Sequence, residues 1–117
     1  VVKQRKGQAL DNTFTTRHES GINRQYLDIA VNGMADAVTR GTCRAINLEP
    51  EVVVCGKTGT ADHKEGGYGY LPHSWFMGFA PYEDPQIAIA VIVEEGGQGG
   101  GIASQIASQI IRTALYK

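Results

Sequence analysis

The chain has 117 residues, with 11 Lys and Arg against 12 Asp and Glu, a net charge of −1, and 42% apolar residues. That is enough for one small domain and too short for two. The balanced charge gives no reason to expect nucleic acid as a partner, and no apolar stretch reaches the length of a membrane span. Two cysteines and three scattered histidines (His18, His63, His73) define neither a disulfide framework nor a zinc site, so no metal or cofactor is expected.

Residues 1–22 are polar and read as an irregular N-terminal segment, with Lys3-Gln4-Arg5-Lys6 as a solvated run. A chain beginning at Val1 with no Met reads as a processed or excised piece. From Arg24 to Arg40 the apolar residues Leu27, Val31, Met34 and Val38 recur at three- and four-residue intervals, the signature of an amphipathic core helix. Asn23 is placed to cap its start and Gly41 to follow its end. Gly33 inside the helix costs about 1 kcal/mol against Ala, which close packing would explain.

A loop through Asn47 to Pro50 leads to a first strand, Val52 to Thr60. Cys43 and Cys55 flank this turn, and two readings stay open for them: a disulfide in an oxidising compartment, or two buried thiols. Residues 62–72 form a glycine-containing loop, read either as a border of a ligand groove or as a plain hairpin connection. Ser74 to Ala80 is a second strand and Gln86 to Glu94 a third. Ile87 to Val93 is apolar on both faces, the pattern of a strand covered on both sides. Gly96 to Gly101 reads as a flexible hinge, since no P-loop Lys-Ser/Thr pair follows to make it a phosphate cradle. A last helix spans Ile102 to Tyr116, with Ile102, Ile106, Ile110, Ala103, Ala107 and Ala114 as its apolar face. The fold class is therefore α+β: a three-stranded antiparallel meander packed with an N-terminal and a C-terminal helix.

The chemistry concentrates in Cys55-Gly56-Lys57-Thr58-Gly59-Thr60-Ala61. Lys57 brings a positive point charge, Thr58 and Thr60 bring hydroxyls, and Gly59 lacks the Cβ that would keep a ligand backbone away. That set suits an anionic or carbonyl-bearing ligand laid along a strand edge.

Lys-Thr-Gly alone arises by chance in about one chain of this length in a hundred. Its flanks are more specific: Gly33-Met34, Val38 and Gly41-Thr42 before it, His73-Ser74-Trp75-Phe76-Met77-Gly78-Phe79-Ala80-Pro81 after it, then the Pro85-led strand ending Val93-Glu94. Together these resemble the C-terminal part of the transpeptidase domain of a class B penicillin-binding protein, within the superfamily that includes the serine β-lactamases. The resemblance covers about residues 24–117 and makes 23–117 the C-terminal part of such a domain. It implies a peptidoglycan D,D-transpeptidase acting by serine acyl transfer, with a stem peptide or a β-lactam as ligand. It also implies a place on the outer side of the bacterial cytoplasmic membrane, anchored through upstream sequence.

Carried over residue by residue, the resemblance makes Lys57 the catalytic cation. Lys57, Thr58, Gly59 and Thr60 become the substrate-binding wall, and the backbone N–H of Thr60 becomes an oxyanion donor. The departure is equally clear. The family's serine in S-x-x-K and its S-x-N loop are absent: Ser20, Ser74, Ser104 and Ser108 are the only serines, and none starts either motif. The chain alone is expected to be inactive, to need the upstream part of the domain, whether or not as a second chain, and to expose an apolar edge or face without it. The competing readings are a non-catalytic penicillin-binding sensor or degenerate ligand-binding module, and an unrelated α/β interaction domain with Lys57 in open solvent.

Overall fold

A computed structural model describes residues 4–5, 8–9, 19–48, 50, 52–62 and 69–116. Two short strands, β1 (Gln4–Arg5) and β2 (Gln8–Ala9), pair antiparallel. The N-terminal segment read as irregular thus contains a small ladder. Helix α1 (Arg24–Thr39) begins where its cap predicts, the Asn23 side chain accepting a hydrogen bond from the Gln25 N–H. A short 3₁₀ turn at Arg44–Ile46 leads to the main sheet: β3 (Cys55–Ala61), β4 (His73–Ala80) and β5 (Ile87–Val93), an antiparallel meander in the order β3-β4-β5. Helix α2 (Ile102–Leu115) closes the described chain.

Strand register sorts the side chains into two faces. Thr58 pairs with Phe76 and Thr60 with Ser74, and across β4 Phe76 pairs with Val91 and Ser74 with Val93. This face carries the core: Phe76 and Ala80 are fully buried with Ala103, Ala107 and Ile111 of α2, and Val38, Ile46, Leu48 and Val54 close its end. Phe76 fills the space left by two glycines, for a Cβ on Gly56 or Gly78 would meet its ring. The opposite face carries Lys57, Gly59, Trp75, Met77, Phe79, Ala88, Ala90 and Ile92. Its large apolar members Trp75, Met77 and Ile92 are 40%, 58% and 48% exposed, the uncovered apolar face anticipated from β5.

Three expectations need correction, and one open choice is decided. The first strand starts at Cys55 rather than Val52: Val52 bridges back to Leu48, and the Val53 carbonyl is taken by the Tyr82 N–H. The buried stripe of α2 is Ala103–Ala107–Ile111 with Ser104, whereas Ile102 and Ile110 are exposed. Ala103 and Ala107 let the helix sit close on the sheet beside Phe76, and Ile111 fills the core one turn further on. Gly33 has open space around it, so close packing does not account for it, and α1 as a whole buries only Val38 fully. The thiols of Cys43 and Cys55 are both buried and free, which decides between the two readings left open for them. Burial pushes the Cys55 thiol up from its ordinary value.

Gly96 to Gly101 is also no loose hinge. The Gly97 N–H donates to the Pro72 carbonyl and the Glu95 N–H to His73 Nδ1. Ser74 Oγ donates to the Gln98 carbonyl and Ser104 Oγ to that of Gly99. The loop is sewn to the ends of the sheet.

Candidate functional site

β3 has β4 on one side, and among the described residues no strand pairs with its other side. In an antiparallel pair, alternate residues turn both N–H and C=O toward the partner and the rest turn both away. Lys57 Nζ donates to the Thr58 carbonyl, which puts Thr58, and with it Thr60, in the outward set. The free edge of the Lys57-Thr58-Gly59-Thr60 segment thus presents the Thr60 amide and the Thr58 amide and carbonyl. An extended peptide pairs with such an edge as an added strand.

The two threonine hydroxyls lie on the α2 face, in an open cleft of about 620 Å³ lined by Thr42, Thr58, Thr60 and residues of the glycine-rich loop. Thr58 is buried, and its hydroxyl lies 2.9 Å from that of Thr42. Thr60 Oγ1 accepts from the Gly99 N–H at 3.1 Å. An accepting hydroxyl still has its own proton to give, so Thr60 can donate into the cleft. Residue 101, the N-cap of α2, also lines the cleft and makes no side-chain cap. The wall is therefore rich in donors and carries no carboxylate.

Lys57 rises from the opposite face beside Met77 and is exposed. Gly59 is crowded from both sides. A Cβ there would stand 3.1 Å from Trp75 Cβ, and on the other side Gly99 lies against the Gly59 backbone. A side chain at 59 would press on Trp75, and one at 99 would run into the Gly59 backbone.

All four candidate residues are together on one strand. What the motif did not reveal is the layer behind them: Thr42, Ser74, Gly99 and Ser104. Gly41-Thr42 stood out in the sequence by its spacing, but no local pattern links it to a strand 16 residues on. Part of the loop read as a possible groove border, residues 63–68, lies outside the described residues. Among the described residues no cluster of three His, Cys, Asp or Glu side chains could hold a metal, and no helix is long and apolar enough to cross a membrane.

The family model described as the penicillin binding protein transpeptidase domain matches residues 2–112. The peptidoglycan D,D-transpeptidase PbpA of Mycolicibacterium smegmatis is 42% identical over 69 residues, 55% of this chain and 14% of the relative. The D,D-transpeptidase domain of a peptidoglycan glycosyltransferase from Eggerthella lenta superposes with a TM-score of 0.74 at 29% identity, over 94% of this chain and 24% of that one. Penicillin-binding protein A from M. tuberculosis, solved as a penicillin G acyl-enzyme complex, gives 0.73 at 28% identity, over 93% and 25%. The chain therefore spans about one seventh of the curated relative and a quarter of the solved structures.

Proposed function

Because this chain belongs to the penicillin binding protein transpeptidase domain family, we propose that it is the C-terminal part of a peptidoglycan D,D-transpeptidase and supplies the substrate-binding edge of its active site. The observation that carries the reading is the outward edge of β3, with the Thr60 hydroxyl free to donate and the Thr58 hydroxyl beside it on one side and Lys57 on the other.

The reaction is acyl transfer. A serine attacks the carbonyl of a D-alanyl-D-alanine terminus, the terminal residue leaves, and an amine of a second stem peptide takes the acyl group. A β-lactam enters the same path and leaves a stable acyl-enzyme. Within it Lys57 keeps positive potential near the nucleophile and the substrate carboxylate. The Thr58 and Thr60 hydroxyls hold that carboxylate, and the Thr60 N–H is one of the donors to the developing oxyanion. Gly59 keeps the edge bare where the peptide lies along it.

The nucleophile comes from sequence this chain lacks. Lys57 shares its face with exposed Trp75, Met77 and Ile92. A segment that covered those side chains would bring its own residues beside the ammonium. Hydrophobic cover and completion of the site are then one event, whether the covering segment belongs to the same polypeptide or to a second one. The assembled protein would work outside the cytoplasmic membrane, where peptidoglycan is cross-linked.

Intact-mass measurement after incubation with a penicillin tests this, native and then denatured. The drug adduct should appear only on polypeptide carrying S-x-x-K, and none on this chain alone. An adduct on the isolated chain would refute the division of labour. In the complete protein Lys57→Ala should slow penicillin acylation by about a hundredfold or more, the size of a lost electrostatic contact at an acyl-transfer site. An unchanged rate would sink the reading.

A further inference from the structure

We propose that Thr42 is a positioning residue for Thr58: its hydroxyl sets the direction of the Thr58 proton and so tunes the grip on the ligand carboxylate. The inference rests on the reading of β3 as the substrate-binding edge and goes one residue behind it.

Thr58 is only 8% exposed, and the Thr42 hydroxyl 2.9 Å away is positioned to satisfy it. Either oxygen can donate in the free protein. A bound carboxylate removes the choice. It accepts only, so Thr58 must give its proton to the ligand, and Thr42 must then give its own to Thr58. The pair becomes a two-step chain of donors pointing at the anion, each bond strengthening the next.

Thr42 is well placed for this. It is exposed at the cleft wall, outside the buried core, so its hydroxyl is not a packing element. Its backbone is fixed from behind by the glycine-rich loop, for a Cβ on Gly100 would stand 2.7 Å from the Thr42 carbonyl oxygen. Thr60 is held by a backbone amide, that of Gly99, which can only donate. Thr58 is held by a side chain that can do either, so substitution at residue 42 can change the grip of one threonine without touching the other.

The test is a double-mutant cycle on penicillin acylation in the complete protein, using Thr42→Val, Thr58→Val and the pair. Val keeps the shape of Thr and removes the hydroxyl. Thr42→Val should slow acylation by about three- to tenfold, the worth of one neutral hydrogen bond. Thr42→Ser should restore it. In the Thr58→Val background, Thr42→Val should add nothing. Thr42→Val acylating at the unsubstituted rate, Ser failing to rescue, or two effects that multiply would each overturn the proposal. If Val at 42 prevents folding, Ala at 42 closes the same cycle. Lys57→Ala run alongside separates the two levels. An unchanged rate there breaks the reading of β3 itself, whereas a slow Lys57→Ala with an unaltered Thr42→Val breaks only the role of Thr42.

Discussion

Replacing Gly99 by Ala places a methyl group where the backbone of Gly59 already lies. Neither partner is a side-chain end that can swing aside: one is the loop before α2 and the other is the middle of β3. The strand and the loop must part, at an overpacking cost of about 1–3 kcal/mol. Parting also stretches the bond from the Gly99 N–H to Thr60 Oγ1, worth about 0.5–1.5 kcal/mol more. The sum, roughly 2–4 kcal/mol, is a large share of the 5–15 kcal/mol of a typical domain. Thermal unfolding of the complete transpeptidase domain should fall by roughly 5–15 °C. Penicillin acylation measured below that transition should fall too, because Thr60 loses the donor that leaves its proton free. A variant that melts within about 1 °C of the unsubstituted protein and acylates at its rate would refute the packing argument and the link from loop to site together.

Gly33→Ala sits in open space on a helix and should stabilise the chain by about 0.5–1 kcal/mol, read from urea midpoints; a loss would mean that residue 33 is covered in the assembled protein. Met77→Lys, at a side chain 58% exposed, should reduce self-association of the isolated chain in sedimentation without lowering its melting temperature; unchanged association would place the sticky surface elsewhere. The buried Cys55 thiol titrates above its ordinary value, so in alkali the unfolded state releases its proton first and the native state holds more protons. Stability should therefore fall as pH rises through the ordinary thiol range, by up to about 1.4 kcal/mol per pH unit. Cys55→Ala should flatten that fall, and a fall that persists in full in Cys55→Ala would assign it to other groups.

What was legible in the sequence was what short-range patterns encode. Asn23 announced α1, the Pro85-led apolar run announced β5, and Lys57-Thr58-Gly59-Thr60 fell on β3. Periodicity failed where two apolar stripes of one helix competed. In α2 the predicted face held the buried Ala103 and Ala107 but also Ile102 and Ile110, which are exposed, and it left out Ile111, which is buried. Composition failed at Gly96–Gly101, where Gly96, Gly99 and Gly100 mark close approach to Val93, Gly59 and Thr42. The contact between Thr42 and Thr58 was not legible, since it exists only after α1 and β3 are folded against each other.

The sheet has two unpaired edges among its described residues, and they differ in kind. An open edge invites pairing by any passing strand, and proteins commonly blunt one with charge. β3 does so with its own Lys57, whose ammonium covers the outward Thr58 carbonyl. A strand seeking that carbonyl must displace the ammonium. A ligand bearing a carboxylate instead gains it as a counter-ion. In the proposed reading, the cation that protects the edge from neutral peptides would favour an anionic terminus, so that selectivity would follow from the blunting itself. β5 has no cation along Ile87–Val93, and its Ile92 stands exposed. That edge suits permanent pairing with protein, which in the proposed reading would leave β3 for the ligand.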